Sequence, residues 1–376
     1  MTVLDSRPAP ISSTLGRPVV DTGIIDVDVH PAPKPGVIEA YLPARWREHM
    51  RSYGTRSTTG VMGNWEYPTM YGYGQRADAW GPNGEYPGTE LGMIRTQLLD
   101  RHDVQLGVLE CFSINTAQAV NHDQAAALCR AGNDWQLEQL VYPEPRLRLA
   151  MLVPYEAPDL AVDEIRRLGS DPGVVSVLFA SKTLQPFGER KYWPIYEAAI
   201  EAGLPIQVHL SQGGGNPNTG TGWSSYHPEY HTAHPQVFQH QLLSLILSGT
   251  FDRFPELRFL FVESNLLHLV PLLKRLEYHW STLGGELPDL QRRPSEYVPD
   301  HLWVATQPLD EPDDPRHLVE MIGEFGSDNV VFATDYPHFD FDDPDTAFPG
   351  AVPTELREKI LRTNGKALFR LQDQHG

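Results

Sequence analysis

The sequence predicts a (β/α)8 TIM barrel, and three observations predict it. Eight short apolar runs recur along the chain, each followed by a stretch with helical character. The runs are apolar along their whole length, which suits parallel strands covered by helices rather than half-solvated ones. The first run ends in His-Pro-Ala-Pro, where a doubly wound nucleotide-binding sheet wants a glycine-rich turn. Eight α/β units without that turn argue for closure into a barrel.

Residues 1–23 read as an N-terminal arm of Pro and Ser without periodicity. The first strand is Ile24–Val29 (IIDVDV), stopped by His30-Pro31. Residues 31–90 then break periodicity with Gly, Pro and aromatics, far beyond ordinary loop length. Two readings stay open for this insertion: a surface excursion, or a lid bringing Trp65, Tyr67, Tyr71, Tyr73 or Trp80 to a pocket. Regular alternation follows. Helix 90–103 leads to strand 106–112, helix 117–141 to strand 147–153, helix 158–169 to strand 174–179, and helix 190–202 to strand 205–209. Helix 235–249 precedes strand 259–262, helix 266–282 precedes 301–305, helix 313–325 precedes 330–333, and helix 354–369 closes the series. The domain so defined is 24–371, with 372–376 as a tail.

Composition narrows the function. The chain has 376 residues, 40% of them hydrophobic, with 30 Lys and Arg against 49 Asp and Glu, a net charge of −19. That field repels a phosphate backbone and an anionic membrane, so neither nucleic acid nor membrane is expected as a partner. Two cysteines without a CxxC exclude a disulfide framework and cysteine-rich zinc sites. With no signal-peptide pattern at the N-terminus and no apolar run of membrane-spanning length, the expected location is the cytoplasm.

Barrel chemistry sits at the C-terminal ends of the strands. Reading those ends gives Asp28 and His30 after strand one, His209 after strand five, Glu263 after strand six and Asp335 after strand eight. Each has a plain alternative: a strand-end cap for Asp28-x-His30, a core histidine for His209, a helix cap for Asp335, an ion pair with Arg258 or Lys274 for Glu263. Taken together the five need a cation, because unpaired buried charge costs several kcal/mol per ion. Asp and His are ordinary oxygen and nitrogen ligands of a divalent metal, whose open position would take water or substrate.

The stretch between strands five and six holds His227, His231, His234 and His240. Pro228 disfavours His227 on a helix, His234 is the one expected to reach the site, and the others read as surface or capping residues. His338, three residues beyond Asp335, reads as a base or substrate contact. DFDDPD at 340–345 lacks the glycine and terminal glutamate of a calcium loop and reads as a solvated acidic turn. No GxSxG or strand-following GxGxxG occurs, and neither cysteine has an activating neighbour.

The stretches IIDVDVH, AGNDWQLEQLVYPEPRLRLAMLVP, AAIEAGLPIQVHLS, FDRFPELRFLFVESNLLHLVPLLKRLE, VFATDYPHFD and ILRTNGKALFRL resemble the amidohydrolase-related family. This is the branch of the amidohydrolase superfamily that includes aminocarboxymuconate-semialdehyde decarboxylase, and the likeness spans roughly 24–371. It implies a distorted barrel holding a divalent metal, zinc or manganese, on Asp28, His30, His209 and Asp335, and a homodimer or hetero-oligomer. Two departures stand out. Asp28-x-His30 replaces HxH, and Glu263 in VESN replaces the decarboxylases' histidine after strand six. Three functions follow as expectations. One is a hydrolase or decarboxylase of a small carboxylate or carbonyl compound, with Glu263, His234 or His338 as acid or base. Another is a dinuclear iron or iron/manganese oxygenase with Glu263 bridging and His234 or His338 on the second metal. The third is a non-catalytic barrel subunit.

Overall fold

The computed structural model describes residues 15–16, 18, 20–53, 74–112, 121–210, 217–287 and 290–371. Each apolar run forms a strand: β1 (Ile24–Val29), β2 (Val104–Leu109), β3 (Leu147–Leu152), β4 (Val174–Ala180), β5 (Ile206–His209), β6 (Phe259–Phe261), β7 (Leu302–Ala305) and β8 (Val330–Val331). They pair parallel in sequence order. The two edges meet, since Val27 N–H donates to Phe332 O (3.1 Å) and His30 N–H to Tyr336 O (2.7 Å). Strands β3 to β8 are buried at every residue, the burial their uninterrupted apolar character demands.

Two strands stop two or more residues short of their apolar runs, for reasons outside the runs themselves. β2 ends at Leu109 because its partner β1 ends. Glu110 N–H still donates to Val29 O (2.8 Å), but His30 N–H has turned to the other side of the seam. β8 ends at Val331 shortly before Asp335, where the backbone enters the left-handed region (φ 59°).

Helices wrap the barrel where periodicity and caps coincide. Pro158–Leu168 buries Ala161, Val162, Ile165 and Leu168 on one face and has Pro158 in its first turn, where the missing N–H costs nothing. The helix Pro315–Phe325 is capped by Asp314, which accepts from Arg316 N–H (3.0 Å). Asn133, on the helix His122–Gln136, clips that helix to β3: its Nδ2 donates to Leu152 O and its Oδ1 accepts from Leu152 N–H, both at 2.8 Å. Asn364 ties the terminal helix Asn364–Phe369 to β8 by donating to Val330 O (2.7 Å). Among the described residues no helix is long and apolar enough to cross a membrane.

The insertion is more regular than its composition suggests. Helices Val37–Tyr41 and Ala44–Tyr53 occupy its first part, and Ile38, Leu42, Trp46 and Met50 are all buried. Trp46 and Met50, four apart, share one face of the second helix, while Ile38 is buried from the first and Leu42 from the bend between them. Trp65, Tyr67, Tyr71 and Tyr73 lie outside the described residues. The returning end docks on the loop after β8: Gln75 bridges to His338, Arg76 N–H donates to Pro337 O (3.0 Å), and Phe339 N–H donates to Gly74 O (2.6 Å). Trp80 remains 41% exposed.

Asp26, on β1 and fully buried, fastens the seam. Its Oδ1 accepts from Asp28 N–H (3.1 Å) and Thr334 N–H (3.0 Å), and its Oδ2 from the Thr334 hydroxyl (2.6 Å). Asp26→Ala strands three buried donors and should cost about 2–5 kcal/mol. Asp26→Asn keeps two acceptor contacts and should cost far less. Denaturant unfolding of the two variants distinguishes them; equal losses would mean that the two contacts an amide oxygen keeps carry none of the stability, and that the full carboxylate is what matters here.

Candidate metal centre

Four side chains predicted from strand ends converge. Asp28 and His30 leave the end of β1, His209 is the last residue of β5, and Asp335 follows β8; each offers one ligand atom, and these atoms lie within 4.8 Å of one another. All four are buried. His30 Nε2 is 2.8 Å from Asp28 Oδ1 and 2.9 Å from Asp335 Oδ1, and His209 Nε2 is 3.6 Å from Asp28 Oδ2.

The ring tautomers follow from the far nitrogens. His30 Nδ1 is 3.0 Å from the Glu110 carbonyl and His209 Nδ1 is 2.6 Å from the Leu210 carbonyl. A carbonyl only accepts, so each Nδ1 carries a proton and each Nε2 is the nitrogen that faces the cluster, able to offer a lone pair to a metal once its own proton is lost. Both Asp28 oxygens, His30 Nε2 and His209 Nε2 are buried without a hydrogen-bond partner. Orphaned acceptors converging at this spacing suit a divalent cation, which satisfies them all at once. The residues present therefore fit a metal.

Electrostatics agree. Burial pushes the Asp335 and Glu110 carboxyls well above the ordinary carboxylate range, and the Asp28 charge adds to it. Burial opposes ionisation of Asp28 too, yet His30 and His209 outweigh it and hold that group below its usual range. At His30, burial works against charge but Asp28 and Asp335 raise the ring; at His209, Glu263 and Asp28 do the same. Three carboxylates forced into one buried rim repel one another, and that is a site built for a cation.

Glu263 sits just after β6, 8% exposed, with its backbone in the left-handed region (φ 54°). Non-glycine residues adopt that region rarely and at a cost, and it recurs here at Asp335. Glu263 Oε2 lies 3.3 Å from His209 Nε2. The ion pairs offered as its alternative do not form: Arg258 donates to the Leu368 and Gly203 carbonyls, and Lys274 pairs with Glu324 (2.6 Å). Burial, against the opposing pull of His209, pushes its carboxyl well up.

His338 stands beside the cluster, with Nδ1 2.5 Å from Asp335 Oδ1 and its ring 4.5 Å from that of His30. Burial and the neighbouring His30 depress its pKa to about 3. His234 is 4% exposed and opens the helix Pro235–Leu247, packed edge-on against Tyr230 at 4.6 Å rather than against the four-residue cluster. Burial, then His231, holds its ring well below the ordinary value.

Several expectations need correction. His227 does begin a helix, His227–Thr232, because Pro228 falls in the first turn, where proline is tolerated. His231 is not a surface residue: its Nε2 is 3.2 Å from Asp340 Oδ2, and these two form a second group with Glu263. Asp340 is accordingly no solvated turn residue. His240 is exposed, as expected. Sequence reasoning missed Glu110, fully buried and with Oε2 4.0 Å from His209 Nε2, and Phe112, whose ring lies 4.4 Å from that of His209. Both end the β2 run, and the strand-end rule that found His209 would have found Glu110 too.

The family model described as Amidohydrolase matches residues 25–371. This chain belongs to the amidohydrolase family. The family makes it a metal-dependent enzyme of the hydrolase and lyase kind. The chain is 27% identical over 321 residues to a gamma-resorcylate decarboxylase of Rhodococcus jostii, covering 77% of this chain and 93% of the relative. Its fold is similar to the crystal structure of 5-carboxyvanillate decarboxylase from Sphingomonas paucimobilis (TM-score 0.65, 21% identity, 93% of this chain and 99% of that one). It is also similar to a dihydroxybenzoic acid decarboxylase from Polaromonas with bound manganese and the inhibitor 2-nitroresorcinol (TM-score 0.62, 20% identity, 93% and 97%).

Two outcomes test the centre. Asp335→Ala should remove the Mn²⁺ held by these four residues, seen in calorimetry as a lost binding equivalent, while circular dichroism stays barrel-like; undiminished binding would remove Asp335 from the candidate ligands. Metal must also displace protons from His30 and His209, whose rings are pushed above their ordinary 6.5. Affinity should therefore already decline as pH falls towards that value, measured from about pH 8.5 down to about 5.5. A flat profile would mean that neither ring binds metal.

Proposed function

We propose that this enzyme decarboxylates a small aromatic carboxylic acid at a divalent metal held by Asp28, His30, His209 and Asp335. The observation that carries the reading is the convergence of these four side chains at the strand C-terminal ends, with the polar atoms of Asp28, His30 Nε2 and His209 Nε2 left without hydrogen-bond partners. The decarboxylase relatives support this chemistry, and none of those named above is an oxygenase. The manganese in the Polaromonas enzyme favours manganese over zinc.

When bound, the metal supplies positive charge that draws in substrate oxygens and lowers the pKa of bound water. The protein's own groups do the rest. In decarboxylation the bond between ring carbon and carboxylate breaks, carbon dioxide leaves, and the bonding electrons take up a proton on the ring carbon. His338 Nδ1 and Asp335 Oδ1, 2.5 Å apart, hold one proton between them, and we assign His338 as the group that passes it on. Phe112, against His209, offers an aromatic ring a wall to pack on. The docking of residues 74–76 beside His338 supports reading the described part of the insertion 31–90 as a lid over one catalytic domain, 24–371. The lid would exclude water during proton transfer.

Manganese-loaded protein should release carbon dioxide from at least one member of a panel of hydroxylated benzoic acids. His338→Gln should keep its metal and lower turnover by about 10²–10⁴-fold. Hydrolysis of ester or amide substrates with no carbon dioxide from any acid would replace decarboxylation by hydrolysis on the same scaffold.

A further inference from the structure

We propose that the barrel mouth holds a second divalent cation, on His231, Glu263 and Asp340. The inference rests on the reading of Asp28, His30, His209 and Asp335 as a metal site and extends it. One ligand atom from each of the three residues lies within 4.8 Å of the others. They come from three separate elements: the helix His227–Thr232, the end of β6 and the loop after β8. Nothing local in the sequence brings them together.

Two links join this group to the first. Glu263 Oε2 lies 3.3 Å from His209 Nε2, so one carboxylate faces both groups, as a bridging ligand must. Gln307, just past β7, donates from Nε2 to Asp335 Oδ2 (3.3 Å) and Asp340 Oδ2 (3.1 Å), fixing an aspartate of each group with one amide. A further observation points to a ligand here. His234 is 4% exposed, its Nε2 has no hydrogen-bond partner, and its ring lies 4.9 Å from that of His231. A buried imidazole nitrogen with nothing to bond is expected where a metal or its water sits.

Charge supports the same. Asp28, Glu110, Glu263, Asp335 and Asp340 all face one mouth, four of them buried and Asp340 mostly so. One divalent ion offsets two of these charges. Lys182, just past β4 and 5% exposed, is the buried lysine at this end among the described residues, and its ammonium stands over the Tyr230 ring at 5.6 Å. A second divalent ion supplies the charge still lacking, through oxygen and nitrogen ligands suited to a first-row metal. The competing arrangement is an imidazolium of His231 paired with Asp340 and a protonated Glu263, with one ion in all.

Full-length protein stripped of metal and titrated with Mn²⁺ decides between them. Metal per chain is read by mass spectrometry after desalting, and metal–metal coupling by electron paramagnetic resonance. Wild type should bind two equivalents with a coupled signal. His231→Ala and Asp340→Asn should each bind one, with the signal of an isolated ion. Glu263→Gln, nearly isosteric, should also lose the coupled signal, and serves if either other variant fails to fold by circular dichroism. One equivalent in wild type, kept in His231→Ala but lost in Asp335→Ala, overturns the second site and leaves the first. No bound metal in wild type overturns both.

Discussion

Everything at the mouth depends on how the barrel closes. β8 is two residues long and cannot set its own register against β1 by ladder hydrogen bonds alone. The Asp26 carboxylate does so instead, taking donors from Asp28 and Thr334 on both sides of the seam. Because side chains alternate along a strand, a slip of one residue would turn Asp28 and His30 away from Asp335. A buried, hydrogen-bonded charge tolerates no such slip, since any other pairing leaves the carboxylate unsatisfied.

The polar interior runs on from that seam. Gln207, on β5, accepts from Ser176 Oγ (2.8 Å) and donates to Val27 O (2.8 Å) and to the Glu110 carboxylate. One amide thus connects β1, β4, β5 and the end of β2 beneath the four-residue cluster. The backbone carbonyl of Glu110 meanwhile fixes the ring of His30. The four converging side chains are held by groups that are themselves held, so their geometry is set by the protein alone.

Cost concentrates at the same end. Glu263, Asn265 and Asp335 all take left-handed backbone conformations, and the buried carboxylates repel one another. The apolar barrel below and the helices around it offset this. A mouth so charged is disfavoured in the empty protein, and cation binding relieves it, so metal should stabilise the fold as well as equip it for chemistry.

The sequence alone determined the barrel, because eight fully apolar runs separated by helical stretches have few other ways to be buried. It also picked out the four side chains that converge at the mouth, Asp28, His30, His209 and Asp335, because in a barrel the ends of the strands lie at that face. Local sequence showed less of the insertion, where two short helices burying Ile38, Trp46 and Met50 were masked by their neighbours' composition. Tertiary structure decided what local signals do not carry. It brought His231 to Asp340 and Glu263, placed Glu110 beside His209, and sent Arg258 and Lys274 to other partners. Those pairings join elements far apart in the chain, and their distances follow from barrel closure and helix packing, which no local spacing encodes.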